Sequence, residues 1–410
     1  MELKDFELNY IEKWVPEASV KYKDGSPAVN LGLIITVFFQ NGHTPEVLRN
    51  MVECMDRYYG EFKPYLKKTI YGKKWVGITE NNYQRKRQQL LELTEEETAS
   101  WYLGGAEKDY ESPDYSILAM NTRVFHNDND RSVIKLTFPL SLLKESEGKE
   151  RYQSWLRGLC DTFKVESGYA GLSFILPYEF QRMFPYEYAL AQRFPGVMVD
   201  SLGTLEGGEA VEGVKGACWY TILGNPWLEK LGGAEKLAHR LKKTPEIELL
   251  PYNSGIILKA GALPPALGET KTEGLPPLLV KVNQMIKPIR QDGHNGLHFY
   301  SEHENFQFEE ESSMAWFARF DKASAALDKE DEGKSFEPVR ITCWSGEVAP
   351  FAGRWATIVN GTTQYAQIQV AQVIPEFEDK HGNKHRACWS LLERDDGGNV
   401  FAAKPDKDVH

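Results

Sequence analysis

Long hydrophobic runs are missing from this 410-residue sequence. The longest apolar stretch, "LGLIITVFF" at 31–39, is strand-sized, whereas a membrane-crossing helix needs about 20 consecutive apolar residues. Basic charge is also in deficit. There are 48 Lys and Arg against 59 Asp and Glu, a net charge of −11. That balance argues against direct nucleic-acid binding, which draws its affinity from Lys and Arg on phosphates. Cysteine is sparse: Cys54, Cys160, Cys218, Cys343 and Cys388 show no CxxC spacing. Neither a disulfide framework nor a zinc ribbon is indicated, and free thiols are expected. The N-terminal "MELKDFELNYIEKWVPE" is charged throughout and lacks the apolar centre of a secretory signal, so the expected location is cytoplasmic. Catalytic signatures are wanting as well. The sequence contains no GxSxG, Walker A or HExxH motif. Gly207-Gly208 and Gly232-Gly233 do not sit in a strand–GxGxxG–helix context, so neither a nucleotide fold nor a cofactor is expected.

Aromatics are plentiful: ten Trp, 19 Tyr and 20 Phe. They can fill a core or anchor an interface. "NLGLIITVFF" (30–39) reads as a buried strand. Thr44 as N-cap and Pro45 in the first turn open an amphipathic helix. "NYQRKRQQLLELTEEETASW" reads as a polar helix. "DYSILAMNTRVF" and "SVIKLTFPLSLL", joined by "HNDNDR", predict a β-hairpin. "GKERYQSWLRGLCDTFK" is a helix, "GYAGLSFIL" a strand, and "PYEFQRMFPYEYALAQRFPG" helical up to Pro195-Gly196. "VKGACWYTIL" and "NSGIILKAG" read as further strands, with short helices between them. "LPPLLVKVNQMIKPI" reads as a last helix. The irregular alternation predicts an α+β fold, a mixed or antiparallel sheet with packed helices. The expected domains are 1–300, an acidic linker or loose helix over 301–338, and a small β-rich module over 339–410.

Candidate chemistry is thin. His294, His298 and His303, and the His381/His385 pair, have spacings compatible with metal ligation, but turn signals surround them, so solvated loop histidines are expected. Cys218 in "GACWYTIL" is the best candidate thiol nucleophile, yet a buried strand cysteine ordinarily acts as a small hydrophobe. Lys215 either meets an anionic ligand or closes the start of that strand. The acidic clusters read as solvated faces or as a surface for a basic partner. In "YSEHENFQFEEE" (300–311), Tyr300, Phe306 and Phe308 are candidate aromatic anchors for a partner. Glu302, Glu304, Glu309, Glu310 and Glu311 are the candidate charges. The competing reading of that segment is a plain linker.

The block 168–290 resembles the bacterial family of type VI secretion immunity proteins. The resemblance rests on "GYAGLSF" (168–174), "PYEYALAQRFPGVMVD" (185–200), "VKGACWYTILGNPWLEKLGG" (214–233), "GIILKAGALPPALGE" (255–269) and "PLLVKVNQMIKPIR" (277–290), in that order. It extends more loosely to residue 30. The tail resembles small modules encoded near polymorphic toxins, although the glycine usually found before the second proline is absent in "VAQVIPEF". The resemblance implies a cytoplasmic protein that neutralises a cognate toxin by stoichiometric binding, with some relatives directed at VRR-Nuc-type DNases. It implies a basic partner surface, with no membrane, cofactor or catalytic residue. The alternative is an enzyme that reverses or degrades a toxin product.

Overall fold

The computed structural model describes residues 8–72, 74–124, 131–178, 181–201, 213–294, 297–298, 306–332, 339–359, 362–398 and 400–402. They fall into two compact units, Met1–Asp328 and Lys329–His410.

The first unit begins with α1 (Asn9–Glu12), β1 (Val20–Lys21), β2 (Pro27–Phe39), α2 (Pro45–Phe62), β3 (Lys68–Tyr71) and β4 (Lys74–Gly77). There follow α3 (Glu80–Leu91), β5 (Ser100–Gly104), β6 (Ser116–Met120), β7 (Ser132–Pro139), α4 (Gly148–Phe163) and β8 (Ser167–Ile175). Next come α5 (Phe184–Arg193), β9 (Tyr220–Gly224), α6 (Asn225–Lys230), α7 (Gly233–Leu241), β10 (Ile247–Tyr252) and β11 (Gly255–Ala260). The last helices are α8 (Pro277–Ile286), α9 (Glu310–Phe317) and α10 (Asp321–Glu332), the last crossing the boundary between the units.

One antiparallel sheet organises this unit, in the order β10-β11-β9-β8-β2-β7-β6-β5-β3-β4, with β1 paired to β2. β2 lies at its centre, between β7 and β8, and from Leu31 to Phe39 every residue is buried. A strand buried on both faces has no polar side to show, so its sequence is a continuous apolar run rather than an alternation. α2 and α4 bury Met51, Tyr58 and Phe62, and Tyr152, Trp155 and Leu156. Each such side chain contributes roughly 1.5–3 kcal/mol on burial. Their hydroxyls are not stranded: Tyr58 donates to the Thr137 carbonyl at 2.8 Å and Tyr152 to the Ile34 carbonyl at 2.5 Å. Thr44 caps α2 by accepting from the Val47 N–H, with Pro45 in the first turn, as the sequence predicts.

The described part of the 301–338 stretch, expected as a linker or loose helix, contains α9 and α10. The portion before residue 329 belongs to the first unit, and Trp316, Phe317 and Phe320 are buried. Arg290 grips Asp321 through two nitrogens at 2.6 and 3.1 Å. Ser324 donates to the Val280 carbonyl, and Arg319 to the Pro195 carbonyl at 2.7 Å. These contacts are long-range, so acidic composition alone could not reveal them.

The second unit contains β12 (Val339–Arg340), β13 (Thr342–Trp344), β14 (Gly353–Val359), β15 (Thr362–Ile368), β16 (Phe377–Glu378), β17 (Lys384–His385), β18 (Cys388–Arg394) and β19 (Phe401–Ala402). Its main sheet runs β13-β18-β14-β15, with small pairs β12-β19 and β16-β17. Trp355, Trp389, Leu391 and Ile368 form its core. The fold is thus α+β with antiparallel sheets and a β-rich C-terminal module.

Candidate partner-binding surface

Pro185 lies in the first turn of α5, where its missing N–H costs no helical bond. The helix ends at Arg193, and the chain continues through Pro195-Gly196 into the buried run Val197–Asp200. α5 carries a fully buried Glu187, whose Oε2 pairs with His298 Nδ1. The His298 ring stacks on Phe184, centroids 4.2 Å apart. Phe308 meets Tyr188 edge-on at 5.1 Å. His298 and Phe308 therefore lie against α5.

This arrangement sorts the candidate interface residues. Phe308 is fully buried, so it is a core side chain that a partner cannot reach. Phe306 is 68% exposed and remains available as an aromatic anchor. Glu309 begins α9 in a capping arrangement with Ser312, and it stays exposed beside Glu310 and Glu311. Glu310 Oε1 lies 3.0 Å from His294 Nδ1. That contact, with Asp292 nearby, raises the His294 pKa. Tyr300, Glu302 and Glu304 lie outside the described residues. Tyr186, 48% exposed on α5, is an aromatic that the sequence reading passed over. Its position on the outer face of a short helix was the available signal.

The motifs of the 168–219 region meet elsewhere, in the interior. Register places Lys135, Thr36, Tyr169 and Thr221 side by side across β7, β2, β8 and β9. Asp200 caps this row. Its Oδ1 accepts from Tyr169 at 2.6 Å and Thr36 at 3.1 Å, and its Oδ2 pairs with Lys135. Burial alone would raise the Asp200 pKa, but Lys135 and Lys215 outweigh it and hold the carboxyl below its usual range. Lys215 donates to the Ser201 carbonyl and sits 5.6 Å from the Tyr169 ring. Gly171, at φ 152°, leaves room for Cys218 and Trp219: a Cβ there would lie 2.9 Å from both Cys218 Sγ and Trp219 Cβ.

"VKGACWYTIL" is strand only from Tyr220. Before it, Gly216 at φ 154° breaks the extended path, and Cys218 N–H is taken by Thr221 Oγ1. Cys218 is therefore buried as expected, but ahead of the strand rather than within it. Burial pushes its thiol up to about 12, leaving essentially no thiolate at neutral pH. Lys215 and Asp200 form a structural ion network. His381 and His385 lie at the β16–β17 hairpin, where His385 Nε2 is 3.2 Å from Asp379 Oδ2. No helix among the described residues is long and apolar enough to cross a membrane.

Among solved structures, the chain is similar to the Pseudomonas aeruginosa T6SS protein PA0821, at 22% identity and a TM-score of 0.65. The match covers 78% of this chain and 92% of that one, and at this identity it speaks to the fold alone. No curated protein matches the chain. A family model described as type VI immunity for VRR-NUC matches residues 50–320. Those residues include strands β5 to β9, the Asp200 row apart from Thr36 and the α5–α9 face, and on that match the chain belongs to the type VI immunity family for VRR-NUC.

Proposed function

We propose that this protein neutralises a cognate type VI effector by one-to-one occlusion, and that the effector is a nuclease acting in the cytoplasm of the producing cell. The family match over 50–320 carries the reading. A nuclease must offer a basic surface to phosphates. The net charge of −11 complements such a surface and would steer association, with strong sensitivity to salt. Occlusion requires no reactive group, in keeping with the buried, protonated Cys218. The contact face we assign includes Phe306, Glu309, Glu310 and Glu311, with Tyr186 of α5 and with Tyr300, Glu302 and Glu304 on the same segment of sequence.

Titration of the purified effector with this protein in a nuclease assay tests the reading. Inhibition should be complete at one equivalent and should weaken as salt rises. Complete protection at a small fraction of an equivalent would refute occlusion and favour an enzyme. Phe306→Ala should weaken the complex at least about tenfold if that side chain is a central anchor.

A further inference from the structure

The family match ends at residue 320, so the second unit lies beyond it. The outer face of that unit's main sheet exposes several large apolar side chains, with Arg354 over the Tyr365 ring and Arg386 over that of Trp344. Register aligns Trp344 with Cys388, Ala356 with both Ser390 and Tyr365, and Ile358 with Thr363. Trp344 is 48% exposed, Ile358 70% and Tyr365 55%. Cys388 is exposed among them. A contiguous exposed patch of this kind marks an interaction site more often than chance.

β15 ends the sheet, and among the described residues no other strand pairs with its free side. Edge strands are ordinarily guarded by charge or proline. Residues 362–368, "TTQYAQI", contain neither. We propose that this edge joins two copies of the chain, β15 pairing antiparallel with β15 across a two-fold axis. Tyr365 is the middle residue of the strand. A two-fold through it pairs all seven residues: Tyr365 opposes Tyr365 and Thr363 opposes Gln367, each on the outer face. The two apolar patches then adjoin, and a C2 contact of this kind closes on itself rather than propagating.

Charge selects this occupant over a basic effector. Residues 339–402 carry six Lys and Arg against seven Asp and Glu, nearly neutral in a chain of net −11. The acidic excess that would attract a basic protein resides in the remainder of the chain. A near-neutral, uncharged edge instead suits a second copy of itself.

Light scattering coupled to size-exclusion chromatography on the full chain decides the matter. Wild type should run at twice the mass of one chain at micromolar concentration. Tyr365→Lys places two like charges opposite each other and should run as a monomer, as should the double variant Thr363→Lys with Gln367→Lys. All three positions are exposed, and unchanged tryptophan fluorescence would confirm that the buried Trp355 and Trp389 remain packed. Val370→Lys, exposed but outside the strand, should leave the dimer intact. A wild-type monomer throughout the concentration range would overturn the proposal and leave the edge to a foreign strand. A dimer that survives in both lysine variants would overturn it as well.

Discussion

Replacing Asp200 with Ala would remove the one carboxylate that the Lys135–Thr36–Tyr169 row is built around. Its side chain is 2% exposed and that of Lys135 22%. Breaking a buried ion pair by deleting one partner costs about 3–5 kcal/mol, because the remaining charge stays in poor solvent. Water reaches Lys135 in part, which places the expected loss near the lower end, about 3 kcal/mol. Two hydroxyls, Tyr169 and Thr36, lose their acceptor in the same step. Lys135→Met should cost less, since Asp200 would retain Tyr169, Thr36 and the field of Lys215. The assay is urea unfolding of the full chain, following the transition of the first unit. A loss under about 1 kcal/mol would put the pair in the class of surface salt bridges and refute the reasoning. The pH dependence has a definite sign. The Asp200 pKa is lowered in the folded protein, so its contribution is present above the ordinary carboxylate pKa and is lost as pH falls through the folded value.

Asp321, held down to about 2 chiefly by Arg290 and Asn283 against the opposing effect of burial, behaves likewise. Asp321→Asn should loosen α10 by about 2 kcal/mol or less at neutral pH and leave stability unchanged below pH 2, measurable by thermal unfolding across that range. Thiol titration of the native protein should reveal one fast cysteine, Cys388, and all five after denaturation. A fast second thiol would contradict the burial of one of the other four. Gly171→Ala forces a Cβ against Cys218 and Trp219 at a φ that favours glycine, and should cost about 1–3 kcal/mol in the same urea assay.

Elements with one dominant physical signal were legible in the sequence. β2 could be read because burial on both faces demands an unbroken apolar run, and α2 because Thr44, Pro45 and the helical spacing agree. The β6–β7 hairpin followed from two strand patterns flanking turn residues. β3 and β4 were not legible. They are four-residue strands with one lysine each, β4 at the sheet edge, and their pairing cannot be seen in composition. β5 and β10 were missed for a related reason: short strands owe their state to neighbours distant in sequence. At the candidate surface, local pattern could nominate Phe306 and Phe308 together. Only the packing of Tyr188 separates the buried ring from the exposed one. The Asp200 row was equally hidden, because its members come from four strands and a loop.

The central position of β2 also sets a timetable. Thr36 must wait for Lys135 and then Tyr169 to leave the ribosome before its strand has neighbours on either side. At about 5–20 residues per second that delay is roughly 7–27 s. Through that interval the most apolar segment of the chain lacks at least one of the two strands that flank it in the native sheet, and pairing over such sequence distances is intrinsically slow. Newly made copies thus complete the central sheet only well after synthesis starts, and the last strand to arrive, not the first made, sets when its core closes.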